Sequence, residues 1–276
     1  MSTNRLYRVE GIVIRRRDQG EADRILTLCT PEGKIEVNAK GARKVRSRKA
    51  GHVELFARSR FVIARVRNSW DIVSQVEMVT PHAALRSDLL RGAYARYVGE
   101  LLDRFFAVGE GTPALFDLLD YALEWLCEDS DLDLTTRFYE QHLLSLAGFQ
   151  PELFRCVGQH EGLVSLPLHD STRDEARNVH FYGFDPEQGG VLCPDCYARQ
   201  ATQPRIVPLS PDGLALLQAC RQQPYTQLRT RRIAPALHTE IERAMRHYIT
   251  YHLERSVKSG AFLSDLKNHL VPQRTE

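Results

Sequence analysis

A chain of 276 residues is long enough to bury a sizeable core and to divide into more than one domain. Its 43% hydrophobic and 26% charged residues exclude a disordered or fibrous chain, and no run of roughly eighteen apolar residues suggests a membrane-spanning helix. The formal net charge of +2 conceals a partition: residues 1–80 carry 17 Lys and Arg against 9 Asp and Glu, residues 81–198 carry 8 against 20, and residues 199–276 carry 12 against 6. A basic N-terminal region concentrates polyanions around it, and an acidic middle repels them. The opening "MSTNRLYRVEG" lacks the apolar core of a secretion signal, which predicts a cytoplasmic protein with reduced thiols. The six cysteines are then expected as buried thiols or metal ligands rather than a disulfide frame.

Residues 5–80 read as short strands. "YRVEGIVIRRR" and "RILTLCT" are rich in β-branched and apolar residues, "PEG" at 31–33 is a turn, and "KIEVNAKG" completes a hairpin. "VELFARSRFVIARV" at 53–66 is a long strand or a bent pair, and "NSWD" at 68–71 is a turn. "DIVSQVEMV" alternates, which predicts Ile72, Val76 and Met78 on one face and Gln75 and Glu77 on the other. Five strands in this length suit a closed barrel of the oligonucleotide-binding (OB) type. Another small barrel or a sandwich fits the same pattern.

After Pro81 the period changes. Leu85, Leu89, Ala93, Tyr97, Leu101 and Phe105 recur every four residues and predict one long amphipathic helix. Thr112 and Pro113 open a second helix as N-cap and first helical residue. "TTRFYEQHLLSLAGF" is a third, stopped by Gly148 and Pro151. Helices return at Ser210 and over Pro235 to Ser256, and a frayed polar tail is expected from Ser264. Residues 152–206 read as an irregular insert. The expected fold is therefore α+β: a barrel over 1–80, a helical domain over 81–151 and 207–263, a zinc-knuckle-like insert over 152–206, and a flexible tail over 264–276.

The charge is densest in "AKGARKVRSRK" (39–49), where six of eleven residues are cationic and none is acidic. Lys and Arg neutralise phosphates, and Arg also stacks on bases. Lys40, Arg43, Lys44, Arg46, Arg48 and Lys49 are the first candidates for a polyanion surface, with Arg15, Arg16, Arg17, Arg24 and Lys34 flanking them. The bland alternative is a solvated charged loop. Trp70 and Tyr7 are candidate base-stacking platforms, whereas Phe56 reads as core.

Cys193 and Cys196 form a C-x-x-C, a spacing that lets two thiolates bind one metal from a single turn. "RCVGQH" supplies Cys156, but Gln159 stands where a second knuckle thiol would be expected. His160 beside it completes a candidate Cys₃His zinc site, and His169 and His180 are alternative fourth ligands. A knuckle held by packing without metal is the competing reading. Cys29, Cys127 and Cys220 read as ordinary thiols in strands and helices. The zinc-deaminase pattern of H-x-E before P-C-x-x-C fails, because Pro194 lies inside the pair and the H-x-E at 238–240 follows it. No phosphate-binding G-x-x-x-x-G-K-[ST] occurs, and "GEGTPA" at 109–114 breaks the dinucleotide fingerprint. Asp129, Asp131 and Asp133 read as a solvated loop. Nothing in the sequence makes a positive case for an enzyme.

Three stretches together resemble the RecO family of bacterial DNA-repair and recombination-mediator proteins. They are "GIVIRRRDQGEADRILTLCTPEGKIEVNAKGARKVRSR" (11–48), "LLSLAGFQPELFRCVGQH" (143–160) and "YHLERSVKSGAFL" (251–263). The resemblance implies an OB barrel, a helical body and a zinc-binding insert. It implies a protein without bond-making catalysis that binds single- and double-stranded DNA and anneals complementary strands. Its implied partners are the tail of single-stranded DNA-binding protein and RecR, with which it helps load RecA, beside the nucleoid. The family's two C-x-x-C knuckles are not both present here, since Gln159 replaces one thiol. An RNA-binding OB and zinc-knuckle factor is the alternative reading, and a zinc enzyme acting on nucleic acid a distant third.

Overall fold

The computed structural model describes residues 6–158 and 181–270. The chain opens with five strands: β1 (Leu6–Gln19), β2 (Asp23–Thr30), β3 (Gly33–Ala39), β4 (Arg58–Ala64) and β5 (Asp71–Thr80). Helices α1 (Ala84–Ser87), α2 (Leu89–Phe105), α3 (Pro113–Glu128) and α4 (Leu132–Leu146) follow. The insert holds β6 (Tyr182–Asp185), β7 (Gly190–Leu192), α5 (Pro194–Gln200) and β8 (Val207–Leu209). The chain then forms α6 (Pro211–Gln222), α7 (Tyr225–Leu228), α8 (Pro235–Leu253) and α9 (Lys258–Leu270).

Two compact units result, Met1–Glu128 with Val257–Glu276, and Asp129–Ser256. The helices thus do not gather into one domain. Those of 84–128 and α9 belong with the barrel, and α4, α6 and α8 pack with the insert.

In the first unit the strands close into an OB-type barrel in the order β1-β2-β3-β5-β4. β1 is long enough to serve two neighbours: Leu6–Ile12 pair with β4, and Ile12–Gln19 pair with β2. A short parallel pairing of β3 with β5, Val37 opposite Asp71, closes the ring. Val13, Leu26, Leu28, Val37, Phe61, Ile63 and Val73 fill the interior. Phe56 is buried, as expected of core, and lies against Gly99 of α2, where a Cβ would come 3.0 Å from its ring.

Two expectations change here. The alternation of β5 is broken by a bulge, because Gln75 pairs with Val62 while Val73 pairs with Ile63, leaving Ser74 as the extra residue. Val73 and Val76 therefore both pack on the core, and the simple face of Ile72, Val76 and Met78 does not form. The long helix is also two pieces. Asp88 is extended, and its side chain accepts the N–H groups of Leu90 and Arg91, so a fresh N-cap starts α2.

The "GEGTPA" segment is a backbone clip. The Lys34 N–H donates to the Glu110 carbonyl at 2.7 Å, and the Gly109 N–H donates to the Lys34 carbonyl at 2.7 Å. Gly33 and Gly111 meet there so closely that a Cβ on Gly111 would sit 2.9 Å from the Gly33 Cα. Both have positive φ, which glycine alone adopts freely. The expected polar tail is helical through Leu270: α9 packs on α2, and the Glu100 carboxylate caps it by accepting the N–H groups of Lys258 and Ser259.

In the second unit the described residues of the insert include a three-stranded sheet in the order β7-β6-β8. The aspartates of 129–133 are not a solvated loop. Asp129 is buried against Tyr225 and Arg229, and Asp131 caps α4 through the Leu134 N–H and pairs with His238.

Candidate nucleic-acid interface and cysteine cluster

The basic loop after β3 is clamped at both ends. Gly41, at φ 69, donates its N–H to the Asp23 carboxylate at 2.8 Å. Ala42 tucks into the barrel core, and the Arg43 N–H donates to the Ala22 carbonyl at 2.9 Å. At the far end the Lys49 ammonium donates to the Val73 carbonyl at 2.5 Å. Burial pushes the Lys49 pKa below its ordinary value, against the opposing charge of Asp23. Between the clamps Lys44, Val45, Arg46 and Arg48 are exposed, as is Lys40 before them. Lys40, Lys44, Arg46 and Arg48 have no ion pair among the described residues.

The flanking cations differ. Arg43 pairs with Asp18 at 3.3 Å and donates to the Gly20 carbonyl. Arg24 reaches Asp18 and Glu54, and Arg16 pairs with Glu54 at 2.7 Å. Arg15 and Arg17 converge on Glu36. Lys34 departs from the expectation. Its side chain is 5% exposed and its ammonium lies 2.9 Å from the Asp103 carboxylate, so it faces inward and presents no charge to a ligand. The cause is the backbone clip at Gly33 and Glu110, which turns this end of the hairpin against α2.

Of the two candidate platforms, Trp70 is half-buried with the Arg17 guanidinium 5.0 Å from its ring centre and its indole N–H donating to Glu36. Tyr7 donates its hydroxyl to Asp71 at 2.9 Å, and Arg65 lies 5.3 Å from its ring centre. Arg65 and Arg67 were not singled out in the sequence. They are exposed in the β4–β5 connection beside Trp70, and the signal was there in "RVRNSW", where charge and an aromatic share one turn. Strands 2 and 3 and this connection form the oligonucleotide-binding surface of OB barrels in general.

In the second unit the segment after Pro151 runs beside β7. The Glu152 N–H donates to Gly189, and the Val157 N–H donates to Val191. This brings Cys156 to Cys193, the N-cap of α5, and to Cys196 in its first turn; the three sulfurs lie within 4.8 Å of one another. Tetrahedral zinc holds thiolates about 3.8 Å apart, so the set fits a metal. Burial raises the Cys156 thiol pKa, but the N–H groups of Cys193 and Gly158, donating to its sulfur at 3.2 and 3.4 Å, outweigh it and hold the thiol below its ordinary value. Gly158 leaves room for the sulfurs, since a Cβ there would come 2.6 Å from the Cys196 sulfur. His160, His169 and His180 lie outside the described residues. Cys29 and Cys220 are buried thiols with pKa pushed up to about 12 by burial.

An H-x-E does precede the cysteines, at His52-Val53-Glu54. In the barrel, however, His52 accepts the Met78 N–H, and Glu54 pairs with Arg16 and Arg24.

Two family models match nearly the whole chain in order: recombination protein O N terminal over residues 1–82 and recombination protein O C terminal over residues 86–261. The chain belongs to the recombination protein O family. Among its relatives in that family, the DNA repair protein RecO of Roseiflexus sp. (strain RS-1) is 38% identical, over 97% of this chain and 88% of the relative. The DNA repair protein RecO of Symbiobacterium thermophilum is 37% identical, over 95% of this chain and 98% of the relative. That of Pelotomaculum thermopropionicum is 36% identical, over 94% of each. Among the described residues, no helix of this recombination protein O family member is long and apolar enough to cross a membrane.

Proposed function

We propose that this protein binds DNA through the barrel and acts as a recombination mediator in DNA repair, without making or breaking covalent bonds. The observation that carries the reading is the clamped loop, which holds Lys40, Lys44, Arg46 and Arg48 exposed with no ion pair among the described residues. Such charge costs nothing to strip of a protein partner before it meets phosphate, and contacts to phosphate carry no base preference. That suits annealing, in which two backbones must be screened from each other. Family membership supports the rest: binding of single and double strands, annealing of strands coated by single-stranded DNA-binding protein, capture of that protein's tail, and loading of RecA together with RecR in the cytoplasm beside the nucleoid.

The cysteine cluster takes a structural zinc in this reading, with Cys156, Cys193 and Cys196 as thiolate ligands, and the fourth ligand assigned on spacing alone to His160, outside the described residues. When bound, zinc cross-links the 152–158 segment to α5.

The test is fluorescence anisotropy of a labelled single-stranded oligonucleotide across a salt series, followed by addition of its complement. Binding should weaken with salt at a log–log slope of about −0.7 per phosphate neutralised. Reversal of Lys44, Arg46 and Arg48 to Glu should lower both affinity and slope. Unchanged binding in that triple variant would remove the loop from the interface. Competition with an RNA strand of equal length separates the reading from an RNA-binding one, which a strong RNA preference would favour.

A further inference from the structure

Across the outer face of the barrel, Arg15 on β1 lies opposite Thr27 on β2, and Thr27 lies opposite Glu36 on β3. Adjacent strands bring such a row within side-chain reach. The Glu36 carboxylate takes four donors from it. One oxygen accepts from Arg15 at 3.2 Å and from the Thr27 hydroxyl at 3.5 Å. The other accepts from Arg17 at 3.3 Å and from the Trp70 indole at 3.3 Å. Trp70 reaches it because Val37, the next residue on β3, pairs with Asp71. Asp18 and Glu54 also bridge two arginines each, but among the described residues only Glu36 gathers two guanidinium groups and an aromatic N–H.

Two guanidinium groups, a hydroxyl and an indole N–H converging on one anionic centre are the donor set that recognises a phosphodiester. Arg15 and Arg17 remain about half exposed. Arg17 is ion-paired with Glu36 alone among the described residues, whereas Arg15 also reaches Asp103 at 3.0 Å, so Arg17 is the guanidinium that Glu36 chiefly withholds from a strand arriving from solvent. Glu36 is mostly covered by its donors. We propose that Glu36 is an internal stand-in for a nucleic-acid phosphate: it holds Arg15, Arg17 and Trp70 in the free protein and competes with the DNA backbone for them.

The inference rests on the DNA-binding reading and adds to it a residue that limits affinity. A tunable competitor on the barrel face would keep this surface weak while the unpaired loop cations make first contact, so that bound strands can still be released and exchanged. Losing the carboxylate removes the competitor and its repulsion of the backbone together.

The experiment is salt-dependent binding of labelled oligothymidylate to the full chain, comparing wild type, Glu36→Gln and Glu32→Gln. Glu32 sits exposed in the β2–β3 turn without an ion pair among the described residues, so its substitution makes the same charge change without freeing an arginine. Glu36→Gln should bind about tenfold tighter at low salt, with a log–log slope steeper by about 0.7 for each phosphate gained. Glu32→Gln should match wild type. Quenching of Trp70 fluorescence by DNA should also increase in Glu36→Gln. If Gln disturbs the sheet, Glu36→Thr places a strand-favouring neutral residue at the same site. Wild-type binding with equal or weaker binding by both Glu36 variants overturns the inference and leaves the DNA-binding reading standing. Equal tightening by Glu32→Gln overturns it as well. No binding by any variant at low salt overturns the DNA-binding reading and this inference with it.

Discussion

The Lys34 ammonium is bound to the Asp103 carboxylate at 2.9 Å and to the Asp103 carbonyl at 2.7 Å, tying the β2–β3 hairpin to α2. Asp103 also holds Arg15, at 3.0 Å. The two partners are therefore unequal. Asp103→Ala strands a buried ammonium and should destabilise the protein by about 3 kcal/mol. Lys34→Met leaves Asp103 with Arg15 and should cost less. It should also leave DNA affinity unchanged, because Lys34 is not at the surface. Denaturant unfolding and oligonucleotide anisotropy measure the two effects separately.

Acid should loosen α9. Burial raises the Glu100 pKa, but hydrogen bonds from Ser259 and Lys258 and the charge of Arg104 outweigh it, and the carboxyl is held below its ordinary 4.5. A carboxylate with a depressed folded pKa contributes stability above its unfolded pKa and loses it as pH falls through the folded one. The α9 contact should thus be intact at neutral pH and fail progressively below 4.5. Glu100→Gln should cost about 1 kcal/mol at pH 7, as for a lost cap, and flatten this part of the acid limb. Thermal unfolding of both proteins from neutral pH down to about pH 3, through the window below the ordinary carboxylate pKa, checks it; parallel curves would count against it.

At the cysteine cluster, Gly158 is the sensitive position. Gly158→Ala places a Cβ 2.6 Å from the Cys196 sulfur, forcing the knuckle or the helix to move. Purified protein should hold less zinc per chain than wild type, by elemental analysis, and chelator should lower the melting temperature of wild type more than that of the variant.

Trp70 should contribute through its ring. Trp70→Ala should weaken single-strand binding by about 1–3 kcal/mol, the usual worth of one stacked base. Trp70→Phe keeps a π-face, loses the N–H to Glu36 and should retain most of the affinity. Equal losses in both variants would show that the indole N–H, not stacking, is what matters.

The barrel and its charge were legible because they depend on local features. β-branched alternation, the turn at 31–33 and six cations in one loop need no tertiary information. The C-x-x-C was legible for the same reason, as two ligands on one turn. The break at Asp88 was less so, since an unbroken four-residue repeat runs straight through it and only the side-chain cap reveals the new start.

What the sequence by itself determined is which residues are apolar, charged or sulfur-bearing, and at what spacing along one strand, helix or loop. From these follow the five strands, the cationic loop and the cysteine pair. The tertiary structure decided which charges remain available. Lys34 and Lys40 are cations at the two ends of β3, yet one is buried against Asp103 and the other is exposed. It also brought Arg15, Arg17 and Trp70 to one carboxylate and divided the helices between two units. The physical reason is that a side chain's direction and partners depend on strand register, on a one-residue bulge such as Ser74, and on the element packed over it. Those are set by pairings between residues far apart in the chain, which no local pattern records.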